Sequence, residues 1–143
     1  MRRHAFVLLA GLVVVAAATG CQRARAAKLS APEDLERTFG VRIEGIRRSA
    51  GGYMLDFRFR VLDEQKAKPL FDRNLRPVLH HAKSGAKLLV PSSPKIGPMR
   101  SRTGGASAPR AFIIFANPGQ MVAGGDEVSV VIGSFRAERL VVQ

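Results

Sequence analysis

His80 and His81 stand side by side in the chain, and a pair of imidazoles is a common nucleus for a metal site. Adjacent residues on a strand point to opposite faces, so the two share one ion only where the strand ends in a turn. Met54, Met99 and Met121 are soft donors of the kind that hold Cu(I). No Met-x-x-Met or His-x-His spacing joins them. A metal-handling protein using His80 and His81, with Met99 as a further donor, is therefore one reading. The plainer one puts one histidine at the surface and the other half-buried.

The region Pro91 to Pro109 (PSSPKIGPMRSRTGGASAP) carries a second kind of chemistry. Arg100 and Arg102 can grip a carboxylate or phosphate through two parallel N–H bonds. Lys95 and Met99 flank them. A stretch of this length without structure of its own is uncommon unless it binds something or is a connector. Lys95, Met99, Arg100 and Arg102 are thus the candidate partner-binding residues, projecting from a rigid body as recognition loops do. Arg47, Arg48, Arg58 and Arg60 form another basic group, which Glu44 and Asp56 are placed to balance on a solvated face. Asp63-Glu64 and Asp126-Glu127 read as turn acids that cap rather than catalyse. The chain has no Gly-x-Ser-x-Gly elbow, no Gly-x-x-x-x-Gly-Lys phosphate loop and no other cofactor signature. Beyond a possible Ser–His dyad through His80 or His81, nothing calls for covalent catalysis. No catalytic residue, enzyme activity or cofactor is expected.

The elements that position these residues are mostly strands. Tyr53, Leu55, Phe57, Phe59 and Val61 alternate with Met54, Asp56, Arg58 and Arg60, the pattern of a half-buried strand with a charged outer face. Val41 and Ile43 alternate with Arg42 and Glu44 before Gly45 interrupts, and Ser49-Ala50-Gly51-Gly52 makes a hairpin between the two runs. With Ser49 opposite Tyr53, Ile43 faces Phe59 and Glu44 faces Arg58. A slip of one residue would set Ile43 against Arg58. Gly45 is placed to be a bulge that re-aims Ile46. Residues 63–71 break the alternation and have room for one helical turn before Pro69. Residues 77–81 and 86–90 form a second hairpin around Ser84-Gly85. Arg110 to Phe115 is the most apolar run and is expected at the centre of its sheet. Asn117-Pro118-Gly119 and Gly124-Gly125-Asp126 turn the chain, and Gly133 separates the strand bearing Val128, Val130 and Ile132 from a final edge strand.

About seven short strands with turns between them predict an all-β fold. The expected architecture is an antiparallel immunoglobulin-like β-sandwich over residues 40–143, with a small barrel as the alternative. One short helix precedes it. Ser30 is its expected N-cap, Pro32 lies in the first turn, and Leu35 and Phe39 face the body. Gly40 stops it. The phrase from Met121 to Val128 resembles the penultimate hairpin of many bacterial sandwich domains.

The start of the chain reads as an address. Arg2 and Arg3 precede the uncharged run Ala5 to Ala18. That run is short for a spanning helix, which needs about 20 apolar residues, and suits a secretory signal. Ala18-Thr19-Gly20-Cys21 then resembles the lipobox of bacterial lipoproteins, with Ala18 where such boxes more often carry Leu. Cys21 is the single cysteine, so no intrachain disulfide forms. The resemblance implies cleavage of residues 1–20 and a multiply acylated Cys21 that anchors firmly. Gln22, rather than Asp, after it implies the outer membrane. Residues 21–39 are then a lipid-anchored basic tether and the short helix.

A net charge of +12 would ordinarily suggest nucleic acid. Export, and the lack of a zinc-finger spacing or aromatic RNA-binding run, argue against it. The anions of the cell envelope are lipid head groups, lipopolysaccharide phosphates and acidic polymers. The expectation is a non-catalytic lipid-anchored envelope protein facing the periplasm, bound to the membrane through Cys21. Its sandwich would bind another envelope protein or an acidic polymer.

Overall fold

The structure, a computed structural model, describes residues 31–143. The signal segment, Cys21, the basic tether and Ser30 lie outside the described residues. The first element is helix α1 (Pro32–Phe39). Ala31 is its N-cap, and no side chain bonds there. Pro32 opens the first turn, where its missing N–H costs nothing. Gly40 ends the helix with φ 59° and donates its N–H to Glu36 C=O, the left-handed cap that glycine adopts without strain. Leu35 and Phe39 are buried. The Phe39 ring meets Phe135 edge-on with centroids 5.3 Å apart, so α1 belongs to the core of the body it precedes.

The body is all-β: two sheets of antiparallel strands packed as an immunoglobulin-like sandwich. Strands β1 (Val41–Ser49), β2 (Met54–Val61) and a strand we number β7 (Arg110–Ala116) form one sheet in the order β1-β2-β7. Strands β3 (Val78–His81), β4 (Lys87–Leu89), β8 (Glu127–Ile132) and β9 (Phe135–Val141) form the other in the order β4-β3-β8-β9. A two-stranded ribbon, β5 (Ser92–Ser93) with β6 (Gly97–Pro98), lies apart from both. Leu55, Phe57 and Phe59 from the first sheet, and Leu79, Val128, Val130 and Ile132 from the second, are all within 1% of full burial. Removing a side chain of this size from water contributes roughly 1.5–3 kcal/mol.

The expected register of the first hairpin holds on one side of Gly45 and moves on the other. Val41 pairs with Val61 and Ile43 with Phe59. Glu44 is then the extra residue of a bulge: Gly45, not Glu44, faces Arg58, and Ser49 faces Met54 rather than Tyr53. Gly45 takes φ 140° and Ile46 turns inward to 1% exposure. Tyr53 falls outside the strand, in the turn, and is 59% exposed.

Two expectations are corrected. Arg110 to Phe115 lies at the end of its sheet's strand order, and β2 is central. The outer side of β7 is covered instead by residues 99–101: Ile114 N–H donates to Met99 C=O, and Ser101 N–H to Phe112 C=O. The apolar run therefore reflects an edge with a lid of chain across it. Residues 63–71 are a full helix, α2 (Glu64–Phe71), with Pro69 inside it. Asp63 caps it, its carboxylate accepting from the N–H groups of Gln65 (3.0 Å) and Lys66 (3.2 Å). Ala67 and Leu70 bury one side. Pro69 lacks one backbone donor, and buried contact on this face offsets that loss.

The second hairpin forms as expected, β3 with β4 around Ser84-Gly85. β9 is an edge strand, as expected. The chain then crosses back to the first sheet. Val142 bridges Ile46 in parallel, Gln143 N–H donates to Ile46 C=O (2.9 Å), and Arg48 N–H donates to the Gln143 main-chain oxygen (3.0 Å).

Candidate functional site

The region 91–109 is an ordered element. Met99 N–H donates to Pro91 C=O across the β5–β6 ribbon, and Arg102 Nη2 donates to Ile96 C=O at 2.7 Å. The Ser101 hydroxyl accepts from Phe112 N–H at 3.0 Å. Gly104 is buried, and the space beside its Cα is filled by Phe71 and Val61.

Arg100 does not project as a binding arginine. Its Nη1 donates to Leu75 C=O (2.9 Å) and its Nη2 to the carbonyls of Asp72 (2.7 Å) and Leu70 (3.3 Å). These are the carbonyls at and just beyond the C-terminal end of α2, where partial negative charge collects. The guanidinium thus closes that end and ties it to the loop. Burial lowers its pKa from the usual arginine value, with Asp72 opposing. Of the four loop residues picked out from the sequence, Arg100 is the fastener. Lys95 and Arg102 are exposed, and Met99 is 37% exposed.

Around this fastener lies a groove with two recesses. The first, about 440 Å³, is lined by Phe71, Ile96 and Pro98 with Arg73, Lys95 and Arg102 among its walls. The second, about 390 Å³, is lined by Leu75, Leu89 and Val90 with Arg73 and Arg76. Arg73, Pro98 and Arg100 border both. No carboxylate lines either recess. Ile96 is 68% exposed and Leu89 58%. Arg73 and Arg76 were not among the residues picked out from the sequence. Their signal was the run Asp72-Arg73-Asn74-Leu75-Arg76-Pro77, a basic turn directly after a helix.

The other basic group is arranged differently. On the outer face of the first sheet, Asp56 lies between Arg58 (2.8 Å) and Arg47 (3.4 Å). Glu44 lies between Arg110 (3.3 Å) and Arg60 (3.4 Å). Glu36 takes Arg42 through two bonds, at 2.6 and 3.1 Å, which lowers the Glu36 pKa chiefly through that hydrogen bond. Glu44 and Asp56 thus balance Arg47, Arg58 and Arg60 as the sequence suggested, whereas Arg48 lies beside Gly124 and, among the described residues, enters no ion pair. Among the described residues, Arg73, Arg76, Lys95 and Arg102 enter no ion pair.

The histidines point to opposite faces. His81 is 2% exposed, more deeply buried than expected, and His80 is half-buried. His81 Nδ1 lies 2.8 Å from Ser84 Oγ, and its Nε2 is 3.3 Å from Asp126 Oδ2, too poorly aligned for a hydrogen bond. Ser, His and Asp in a row suggest a nucleophile with its base. Here, however, the imidazole is enclosed, and the Ser84 hydroxyl also accepts from Ala86 N–H. With Ala82 N–H donating to Glu127 C=O, the cluster joins the β3–β4 turn to the turn before β8. Asp126 is 45 residues away in sequence, and nothing local announced the contact. Asp126 Oδ2 also accepts from Ala123 N–H at 2.8 Å, which caps its turn as expected. Among the described residues, no three His, Cys, Asp or Glu side chains are grouped to hold a metal ion. No described helix is long and apolar enough to cross a membrane.

Comparison with protein-family models, with curated proteins and with solved structures finds no match to this chain.

Proposed function

We propose that this is a non-catalytic lipoprotein of the bacterial outer membrane. Its anchor is an acylated Cys21, and its sandwich faces the periplasm and binds another envelope component, a protein or an acidic polymer. The binding surface is the groove beside the 91–109 loop. One observation carries this reading. Arg42, Arg47, Arg58, Arg60 and Arg110 of the first sheet are already paired with Glu36, Glu44 or Asp56, whereas among the described residues the cations of the groove enter no ion pair and stand beside exposed apolar side chains. Unpaired charge next to apolar surface is what a partner recognises, through steering and burial together.

The test is crosslinking in intact cells. A photoreactive residue at Ile96 is compared with one at Tyr53, also well exposed but in the turn between β1 and β2. A defined product from position 96 alone supports the reading. Products from both positions, or from position 53 only, count against the groove. Cys21→Ser should release the protein from the membrane fraction, and retention there would refute the anchor.

A further inference from the structure

Deepening that proposal and resting on it, we infer that the groove takes an extended acidic peptide segment, paired to the free edge of β4. The edge carries the argument beyond charge. β4 is the outermost strand of its sheet, with β3 on its other side. His81 N–H donates to Ala86 C=O at 2.9 Å, and Leu79 faces Leu88 two positions on. Hydrogen-bonded and non-bonded pairs alternate along an antiparallel ladder. The main-chain groups of Leu88 therefore face β3, and those of Lys87 and Leu89 face away. Outside the β3–β4 ladder, no main-chain hydrogen bond within the described residues takes up the N–H or C=O of Lys87 or Leu89.

Leu89 is at once on this edge and in the wall of the second recess. A peptide entering as an added strand would exchange main-chain bonds with Leu89 and Lys87, the β-augmentation mode. Its side chains would alternate in direction. Apolar ones have Leu75 and Val90 to cover, and acidic ones have Arg76 and Arg73. Continuing past Pro98, the segment reaches the first recess, with Ile96 and Phe71 for apolar contact and Lys95 and Arg102 for charge. A lipid head group or a carbohydrate polymer would use the cations, but neither carries the regularly spaced N–H and C=O groups that match a strand edge. This favours a peptide.

The probe is a fluorescein-labelled alternating peptide, (Glu-Leu)4, titrated by anisotropy with the full chain in detergent micelles. Expected is saturable binding that weakens at least about tenfold when NaCl rises from 50 to 500 mM, as screened charge contacts do. (Lys-Leu)4 should not bind. Arg73→Glu with Arg76→Glu should weaken binding by about tenfold or more, and Arg47→Glu, on the sheet face, should leave it unchanged. A (Glu-Leu)4 peptide N-methylated at every residue can donate along neither edge and should lose binding without any change to the protein. Leu89→Pro should do the same, since proline is tolerated at an edge but offers no donor.

Equal binding of the methylated peptide would overturn strand addition. Flotation of the Cys21→Ser chain, which lacks the acyl anchor, with phosphatidylglycerol vesicles, abolished by Arg73→Glu with Arg76→Glu and accompanied by no peptide binding, would assign the groove to a lipid surface and overturn the inference. No peptide binding alongside a persistent Ile96 crosslink would sink this inference and leave the binding groove standing. Loss of both would remove the groove itself.

Discussion

Arg100 reaches back 25 residues along the chain to hold the carbonyl of Leu75 at 2.9 Å, and with the same guanidinium it holds Asp72 and Leu70. Arg100→Ala takes the guanidinium from all three carbonyls, leaving Asp72 C=O only the Leu75 N–H at 3.2 Å, and detaches the loop from α2. The expected loss is about 2 kcal/mol, the usual range for bonds to a charged group being roughly 1.5–3 kcal/mol. Arg100→Lys should recover only part of it, because an ammonium cannot span three acceptors as a planar fork does. Urea unfolding midpoints for the three proteins check this, and an unchanged midpoint in the alanine variant would contradict the fastener role.

Asn117 is fully buried and is shared between two turns. Its Nδ2 donates to Gly52 C=O and Val122 C=O, both at 2.9 Å, and its Oδ1 accepts from Val122 N–H at 3.0 Å. Asn117→Ala strands three buried main-chain groups. At about 1–3 kcal/mol for each buried group left unsatisfied, water entering to take up part of the loss, a destabilisation of about 3 kcal/mol is expected. Asn117→Asp should also be costly, since it puts an acceptor where two carbonyls need a donor. Thermal melts of both variants read the effect.

Gly104 is kept small by its neighbours. A Cβ there would lie 2.5 Å from Phe71 Cζ and 2.6 Å from Val61 Cγ2. Gly104→Ala should cost about 1–3 kcal/mol by overpacking, and Phe71→Leu in the same chain should restore part of that. Failure of the second change to help would mean that Val61, not the ring, sets the limit.

Asp126 gives a pH signature. The Ala123 N–H bond, ahead of opposing desolvation and the nearby His81, holds the Asp126 pKa below its ordinary 3.8. A carboxyl whose pKa is lower folded than unfolded stabilises the fold above the unfolded value, and that contribution disappears as pH falls through the folded one. The stability gap between the native chain and Asp126→Asn should therefore be constant from pH 7 to about 5 and shrink as the pH falls below 3.8. Urea midpoints across that range measure it, and a gap that widens on acidification would contradict the assignment.

Much of the sandwich was legible because its strands are half-buried. Leu55, Phe57, Phe59 and Val61 alternate in sequence and are buried in fact, and glycine marked the bulge at residue 45. What escaped was decided by partners distant in sequence. The helix through Pro69 ends against Arg100, 30 residues from Leu70, so local propensity could not show that the break at Pro69 is tolerated. Residues 99–101 cover β7, so an apolar run that suggested a central strand marks a covered edge. In the groove, Lys95 and Arg102 were found from composition. Arg73 and Arg76 were missed because they sit on a turn whose approach to the loop is set by that same arginine.

The crossing of Val142 and Gln143 onto Ile46 and Arg48 bears on the order of folding. A chain delivered across a membrane amino end first presents β1 and β2 before residues 142 and 143, and until these arrive the outer margin of β1 lacks their cover. An uncovered strand margin invites pairing with another unfinished copy. Residues 142 and 143 are thus a late-arriving seal, and chains truncated before Val142 should be the ones that clump.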